Sequence, residues 1–349
     1  MDTYVLPEEA YNTLEKMVDA IEADPGRLLD PKEFEAELNA GHVMASLPSG
    51  ISDDDFAGIL KLALLTECAT DTYAYAISSR AREFHSAWLE RFTERVWKPD
   101  EYTHAEPFRL VLRGLGFSEA ELEREIIQAQ EAAFEHVGGD TPVNVTTFGM
   151  VQEYLTDHWH GLISKLLKPG LPAAAHMANR VKQRETLHMI WYRDMTAIQV
   201  GAEPGLLENV SYELAHFRLP GNSVAPELQV QAERWLPLMG ADMSRMVKDL
   251  ARLLYSIVDS PRAMGWLAID LADKKDKGAD GLRPQHLRWA IEHSGGWGYS
   301  LVGEALLERL GLAFMFKAQD ERRPSWQSQA RDRLRTWLAG QLPANLASA

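Results

Sequence analysis

The chain has 349 residues, of which 46% are hydrophobic and 25% are charged. These fractions are typical of soluble globular proteins and exclude an intrinsically disordered chain. The formal net charge of −15 argues against a nucleic-acid partner, because binding to the phosphate backbone requires a positively charged surface. The single cysteine, Cys68, excludes an intramolecular disulfide and a cysteine-based zinc or iron–sulfur site.

Two features of the sequence bear on localisation. The N-terminus is acidic, where a secretory signal would be basic and then apolar. No window offers the roughly 18 uninterrupted apolar residues that a membrane span requires. We therefore expect a soluble, cytoplasmic protein in a reducing compartment, without a membrane partner.

The hydrophobic pattern has a helical period almost throughout, and strand signals are scarce. Long helical segments are predicted at residues 53–77, 84–112, 118–137, 145–167 and 172–200. Ser118 and Glu121 fit a capping box at the start of the third segment. Pro99 and Pro107 each lack a backbone donor and predict a kink in the second. Shorter helices are predicted at residues 203–217, 226–236, 241–258, 261–273, 284–294, 297–310 and 325–340.

The linker candidates are too short to establish a domain boundary. They are residues 219–222 and 274–281. We therefore expect one α-helical domain over residues 1–349. Its core would be a bundle over about residues 50–225, followed by a C-terminal helical extension over about residues 260–349.

Glutamate and histidine three residues apart on a helix project from the same face and can bind one metal ion. Three such pairs occur, namely Glu101 with His104, Glu185 with His188, and Glu213 with His216. A single pair is typical of a solvated helix surface. The first two pairs are distinguished by an earlier glutamate, because Glu67 precedes Glu101 by 34 residues and Glu153 precedes Glu185 by 32.

This order of residues matches a known kind of metal centre. Two-metal carboxylate sites in four-helix bundles take one Glu from each of two helices and one Glu-x-x-His from each of the other two. The predicted ligands are Glu67, Glu101, His104, Glu153, Glu185 and His188. Four carboxylates and two imidazoles suit iron or manganese better than copper or zinc. The alternative is a coincidence of spacing on four amphipathic helices. Glu213 has no such upstream glutamate and is expected to lie on a surface or at the core edge.

At these residues the chain resembles the soluble acyl-carrier-protein desaturases, a ferritin-like family, over about residues 50–225. Residues 97–104 read Trp-Lys-Pro-Asp-Glu-Tyr-Thr-His, close to the family's Trp-x-x-Glu-Glu-x-x-His. Thr156 follows Glu153 by three residues, as does a threonine beside the family's oxygen-binding face. Residues 219–221 are similar to a loop that follows the family's bundle. The resemblance implies an all-α, ferritin-like four-helix bundle with additional helices, which binds two iron ions.

The resemblance also implies an activity. We expect an O2-dependent di-iron oxidase or oxygenase that oxidises an acyl chain or a small metabolite in a cavity of the bundle. Its partners would be O2, an external electron donor such as a ferredoxin, and an acyl carrier protein, with the chain forming a homodimer. Catalytic roles are implied for Thr156, Trp97 and Arg184. Arg184 stands where the family has an Asp that links the tryptophan to a ligand histidine, which implies an altered relay or substrate.

The sequence allows two alternative functions. The first is N-oxygenation of a small amine or hydrazine, although Val181 occupies the place of the seventh ligand of arylamine N-oxygenases. The second is a non-enzymatic, ferritin-like metal-binding protein. A small-subunit ribonucleotide reductase is disfavoured, because Phe108 stands at the position of its radical-forming tyrosine.

Several polar residues near the motifs have two interpretations each. Asp71 and Asp157 are candidates to orient ligand histidines, or ordinary polar positions on a helix. His160 lies about 10 Å beyond Glu153 along its helix and is expected to be a core residue or to support the site rather than share its metal. The alternative is a catalytic role in proton transfer. The basic residues Arg180, Lys182 and Arg184 could dock an acidic partner or form a solvated face.

Overall fold

The computed structural model describes residues 6–39, 50–132, 134, 139–258, 263, 267 and 270. The chain divides into two compact units, Met1–Ala241 with Ser256–Val258 and Asp242–Tyr255 with Asp259–Ala349. The candidate site lies entirely in the first unit. Most of the predicted C-terminal extension, about residues 260–349, lies outside the described residues, so the single domain stays a prediction.

Every regular element among the described residues is helical, which confirms the all-α fold class as a helical bundle with additional helices. A π-helical turn, Thr93–Trp97, joins the fifth helix to the sixth, and a 3₁₀ turn, Pro204–Leu206, precedes the eleventh. The helices are α1 (Glu8–Ala23), α2 (Pro31–Asn39), α3 (Asp53–Cys68), α4 (Thr70–Glu83), α5 (Ala87–Phe92), α6 (Lys98–Glu101), α7 (Glu106–Gly114), α8 (Glu119–Glu131), α9 (Pro142–Leu167), α10 (Pro172–Ala202), α11 (Leu207–His216), α12 (Gly221–Val224), α13 (Pro226–Gln229), α14 (Ala232–Leu238) and α15 (Met243–Val258).

The longest helices, α9 and α10, form an antiparallel pair. Near the turn between them, the hydroxyl of Ser164 donates to the carbonyl of Ala175 at 2.8 Å. Far from the turn, the hydroxyl of Thr196 donates to that of Thr146 at 2.9 Å. Helix α3 packs against α9, α7 and α8, while α1, α4 and α5 contact the π-helical turn. The four ligand-bearing segments are therefore parts of one packed bundle.

Two helices of this bundle begin at capping boxes. The Ser52 hydroxyl accepts from the amide of Asp55 at 3.1 Å, and the Asp55 carboxylate accepts from the amide of Ser52 at 3.3 Å. The capping box predicted at Ser118 is confirmed, since the Glu121 carboxylate accepts from the Ser118 amide at 2.8 Å. Each box satisfies amide donors that have no partner within the helix.

Several predicted helices are interrupted. The segment 84–112 consists of α5, the π-helical turn, α6 and α7, with Pro99 and Pro107 in the first turns of α6 and α7. The helical segment is interrupted between Glu101 and Glu106, one residue before Pro107, which agrees with the missing backbone donor of proline. The kink at Pro99 stays a prediction. Continuous helices over 53–77 and 226–236 were wrong predictions, since each region contains two helices. The N-terminal helices α1 and α2 were not predicted at all.

The close packing of α9 on α10 can be tested at Gly149. A Cβ atom there would lie 2.7 Å from ring atoms of Tyr192, which is fully buried. We expect Gly149→Ala to lower the free energy of unfolding by about 1–3 kcal/mol. The control is Gly161→Ala on the same helix, where the nearest atom belongs to the flexible Lys182 side chain at 3.3 Å. Urea unfolding should show no loss for this control, and equal losses in both variants would contradict the prediction.

None of the described helices is both long and apolar enough to cross a membrane.

Candidate metal centre

All six predicted ligand side chains lie together in the interior of the first unit, and all six are buried. They come from α3, from α6 and the turn after it, from α9 and from α10. They form two groups, in each of which the ligand atoms lie within 4.8 Å of one another. The first position is surrounded by Glu67, Glu101, His104 and Glu185, and the second position by Glu101, Glu153, Glu185 and His188.

Glu101 and Glu185 belong to both groups. The Oε2 atom of Glu101 lies 3.3 Å from Nδ1 of His104, and its Oε1 atom lies 2.8 Å from Nδ1 of His188. The two imidazole rings have centroids 5.6 Å apart. One carboxylate therefore reaches both histidines, and Glu101 connects the two groups.

The outer carboxylates, Glu67 and Glu153, each divide their oxygens between two neighbours. Oε2 of Glu67 lies 3.9 Å from Nδ1 of His104, whereas Oε1 lies 2.9 Å from Nε2 of His160. Oε2 of Glu153 lies 4.0 Å from Nδ1 of His188, whereas Oε1 accepts a hydrogen bond from Nε1 of Trp97 at 2.9 Å. Each outer carboxylate thus directs one oxygen toward a ligand histidine and the other toward a buried nitrogen.

Unpartnered atoms in this cluster test whether metal ions fit there. Five buried atoms of the six ligands make no hydrogen bond of suitable geometry, namely Oε1 of Glu101, Nδ1 and Nε2 of His104, Oε1 of Glu185 and Nδ1 of His188. Four of them form close ion pairs, since Oε1 of Glu101 lies 2.8 Å from Nδ1 of His188 and Nδ1 of His104 lies 2.7 Å from Oε1 of Glu185. Leaving buried polar atoms unsatisfied costs about 1–3 kcal/mol each, more for charged groups. Metal ions would bind the carboxylate oxygens and the Nδ1 atoms, and two divalent cations would neutralise the four carboxylates. The cluster could therefore hold metal ions.

Asp100 is a residue of the site that the sequence-based reasoning missed. It is fully buried, and its Oδ2 atom lies 2.8 Å from Nε2 of His188. When His188 is neutral, a carboxylate there keeps the proton on Nε2, so that the lone pair of Nδ1 faces the second position. The sequence shows that Asp100 directly precedes Glu101 and lies one turn before His104, but it does not show the contact with His188.

Arg184 holds Asp100 in turn. Its Nε atom donates to Oδ2 of Asp100 at 2.6 Å, and its Nη2 atom lies 2.5 Å from the same oxygen. Nη2 also donates to the carbonyl of Pro25 at 2.9 Å, in the loop between α1 and α2. The basic residue that departs from the desaturase pattern thus pairs with an acid on another helix, and that acid contacts the ligand histidine.

Asp71 and Asp157, the two acids that were candidates to orient ligand histidines, bind other side chains instead. Asp71 is exposed and binds Lys98 at 3.0 Å, together with the Tyr102 hydroxyl. Asp157 accepts from Lys182 at 2.8 Å and from the Thr186 hydroxyl. For both residues the interpretation as polar positions on helices is therefore the right one.

The residues with predicted catalytic roles lie at different places relative to the cluster. Trp97 contacts the cluster through Glu153, and Arg184 contacts it through Asp100. The hydroxyl of half-buried Thr156 donates to the carbonyl of Gln152 at 2.9 Å, which is a contact within its own helix. The catalytic roles of all three residues stay predictions.

The third Glu-x-x-His pair lies outside both groups. Glu213 is buried, but His216 is exposed, and its Nδ1 atom lies 2.7 Å from the carbonyl of Tyr212. One side chain of the pair is therefore in the core and the other is in solvent, in agreement with the expectation of a pair at the core edge.

Without metal, the cluster binds protons strongly. Burial and the adjacent Glu101 carboxylate raise the pKa of Glu153 to about 7, and the same causes raise the pKa of Glu185 well above its usual value. Burial alone would raise the pKa of Glu101, but His104 and His188 lower it to about 2. Burial lowers the pKa of His188, but contacts with Asp100 and Glu101 outweigh burial and raise this pKa to about 9.

These shifts predict how the stability of the metal-free protein depends on pH. Glu153 has a reference pKa of 4.5 and His188 one of 6.5, so both bind protons more tightly in the folded chain. Their stabilising contributions are complete below the reference values and are lost as pH rises through the folded values. We expect the free energy of unfolding of the metal-free protein to fall between about pH 5 and about pH 9.

Urea unfolding of the metal-free protein across this pH range is the corresponding measurement. The variant Glu153→Gln should lose the part of the slope between about pH 5 and 7. A free energy of unfolding that is constant or rises with pH would contradict the expectation.

The predicted basic docking surface is paired within the chain. Arg184 binds Asp100, Lys182 binds Asp157, and Arg180 donates to Glu33 at 3.1 Å and stacks on the ring of Phe34. These three cations do not form a group of free charges.

Neither a comparison with models of known protein families nor a search of curated proteins finds a match for the chain. Fold and site together define it as an all-α protein whose buried carboxylates and histidines could hold metal ions.

Proposed function

We propose that the protein is an O2-dependent, non-haem di-iron oxidoreductase of the desaturase or oxygenase type. The observation that carries this proposal is the pair of four-residue groups that share Glu101 and Glu185 and have one histidine each. Centres of this composition in helical bundles hold two ions of iron or manganese, and the mostly oxygen donors favour those metals over copper and zinc. The likeness to the acyl-carrier-protein desaturases favours iron.

Each residue of the centre would have a defined task. Glu101 and Glu185 would hold the two ions close together, while His104 and His188 would bind one ion each. Asp100, which contacts Nε2 of His188, would direct the lone pair of Nδ1 at the metal, and burial of all six ligands would keep bulk water away. Two bound ferrous ions would supply electrons and open coordination positions for the reduction of O2.

The electron balance implies an external donor. Desaturation of a substrate supplies two of the four electrons that reduce O2 to water, so the other two must come from a partner such as a ferredoxin. The internal pairing of Arg180, Lys182 and Arg184 removes one surface on which an acidic carrier protein could dock. An acyl chain and a small metabolite both remain candidate substrates, with N-oxygenation of an amine or hydrazine as the alternative reaction.

The test combines metal analysis with O2 consumption. The purified chain is loaded with Fe²⁺ without oxygen, freed of unbound iron, and then exposed to O2. We expect about two irons per chain and rapid O2 uptake that is proportional to bound iron. A protein that binds no iron, or binds it without reacting with O2, would overturn the proposal. Continued uptake of many irons per chain would instead indicate iron storage.

A further inference from the structure

The His160 side chain lies beside the first position and is not one of the six predicted ligands. It is fully buried in α9, two turns after Glu153. Its Nε2 atom lies 2.9 Å from Oε1 of Glu67 and 3.7 Å from Oε1 of Glu185. Its ring stacks on Phe108 with centroids 5.1 Å apart. The imidazole is therefore held in place while its Nε2 atom faces an outer carboxylate from another helix.

The surroundings of His160 determine which ring nitrogen carries the proton. Nδ1 is buried and has no hydrogen-bond partner. A buried N–H without an acceptor costs about 1–3 kcal/mol, so a neutral ring keeps its proton on Nε2. Nε2–H then donates to Oε1 of Glu67.

Trp97 makes the equivalent contact at the second position. Its Nε1–H donates to Oε1 of Glu153 at 2.9 Å, the same distance as that between His160 and Glu67. In both cases the other carboxylate oxygen, Oε2, is the one nearer to the ligand histidine. The two outer carboxylates are thus restrained in the same way, one by an imidazole and the other by an indole.

We propose that His160 is a positioning residue that makes Glu67 a one-oxygen ligand at the first position. The inference rests on the proposed di-iron function. Because Oε1 is held by His160, Oε2 is the oxygen that would bind an ion at the first position. Glu67, Glu101, His104 and Glu185 would hold that ion, and the positions that they leave open would be available to O2 or substrate. Without His160, Glu67 would bind through both oxygens and fill one of these positions.

A histidine that only fills space next to Phe108 would not influence how Glu67 binds the ion. Substitutions at His160 distinguish this packing role from the positioning role. His160→Phe keeps an aromatic ring on Phe108 but removes the donor. His160→Gln places an amide N–H near the position of Nε2 and should rescue the contact. Trp97→Phe is the matched variant, because it removes the equivalent donor at the second position.

The experiment is Mössbauer spectroscopy of the ⁵⁷Fe²⁺-loaded full chain, which reports the surroundings of each iron separately. We expect His160→Phe to keep about two irons per chain but to shift the signal of one iron, with His160→Gln close to wild type. Trp97→Phe should shift the signal of the other iron. The reaction of His160→Phe with O2 should be about ten- to a hundredfold slower.

Two results would overturn this proposal alone. One is a His160→Phe protein with two irons whose signals both match wild type, and the other is a shift that His160→Gln does not reverse. If the phenylalanine variant does not fold, His160→Asn, which is too short to reach Glu67, replaces it with the same expected shift. A wild-type chain that binds no iron pair would instead refute the proposed function, and this inference with it.

Discussion

Glu101→Gln is expected to remove both metal ions from the protein. Glu101 belongs to both ligand groups, and its two oxygens face the two ligand histidines at 3.3 and 2.8 Å. Glutamine keeps the size of the side chain but lacks the negative charge and offers only one oxygen. Loss of an outer supporting residue already lowers metal affinity about ten- to a hundredfold, and loss of a shared ligand should cost more.

The measurement is iron content after dialysis against a fixed concentration of free Fe²⁺. Wild type should retain about two irons per chain and Glu101→Gln close to none. Glu67→Gln, which affects only the first position, should retain about one. Glu213→Gln is the matched control, because Glu213 is a buried member of a Glu-x-x-His pair outside both groups and should leave the iron content unchanged. Retention of two irons by Glu101→Gln would refute the shared role.

Among the variants discussed, Asp100→Leu is expected to cause the largest decrease in the free energy of unfolding of the metal-free protein. The Asp100 carboxylate is fully buried between Arg184 and His188. Burial raises the pKa of Asp100, but hydrogen bonds to His104 and His188 and the charges of these two histidines outweigh burial and hold it well below its usual range. Arg184 pairs with the same carboxylate. Removing the acid leaves Arg184, itself buried, without its anion. The loss should be about 3–5 kcal/mol, as for other broken buried ion pairs.

Urea unfolding measures this loss of stability. Two further variants show whether the loss comes from breaking the buried pair of Asp100 and Arg184. Asp71→Leu removes an exposed acid that pairs with Lys98 and should cost at most about 1 kcal/mol. The double variant Asp100→Leu with Arg184→Leu removes both charges and should recover part of the loss. An Asp100→Leu protein as stable as Asp71→Leu would show that the pair does not support the fold.

The sequence predicted the helical class and the six clustered side chains, because both depend on periodic spacing. A Glu-x-x-His pair can be recognised in a short stretch of sequence. Because the pair occurs twice, once after Glu67 and once after Glu153, few ways remain in which the four helices can bring these residues together. Asp100 was missed for a different reason. Its partners, Arg184 and His188, are more than eighty residues away in the chain, and no spacing rule indicates which helix supplies the acceptor for a ligand histidine.

The partner of His160 was beyond sequence reasoning in the same way. Its distance from Glu153 along α9 predicted that it does not share a metal with Glu153, but not that the packing of α3 against α9 brings Glu67 next to it. Helix α1 is a different kind of omission, because its buried positions Ala10, Leu14, Val18 and Ile21 have helical spacing that was visible in the sequence.

The most direct test of the central claim is anomalous diffraction at the iron edge from crystals of the iron-loaded protein. We predict two peaks, about 3.5–4 Å apart, with Glu101 and Glu185 between them and with His104 and His188 each next to one peak. A single peak, no peak, or peaks remote from these residues would contradict a two-metal centre.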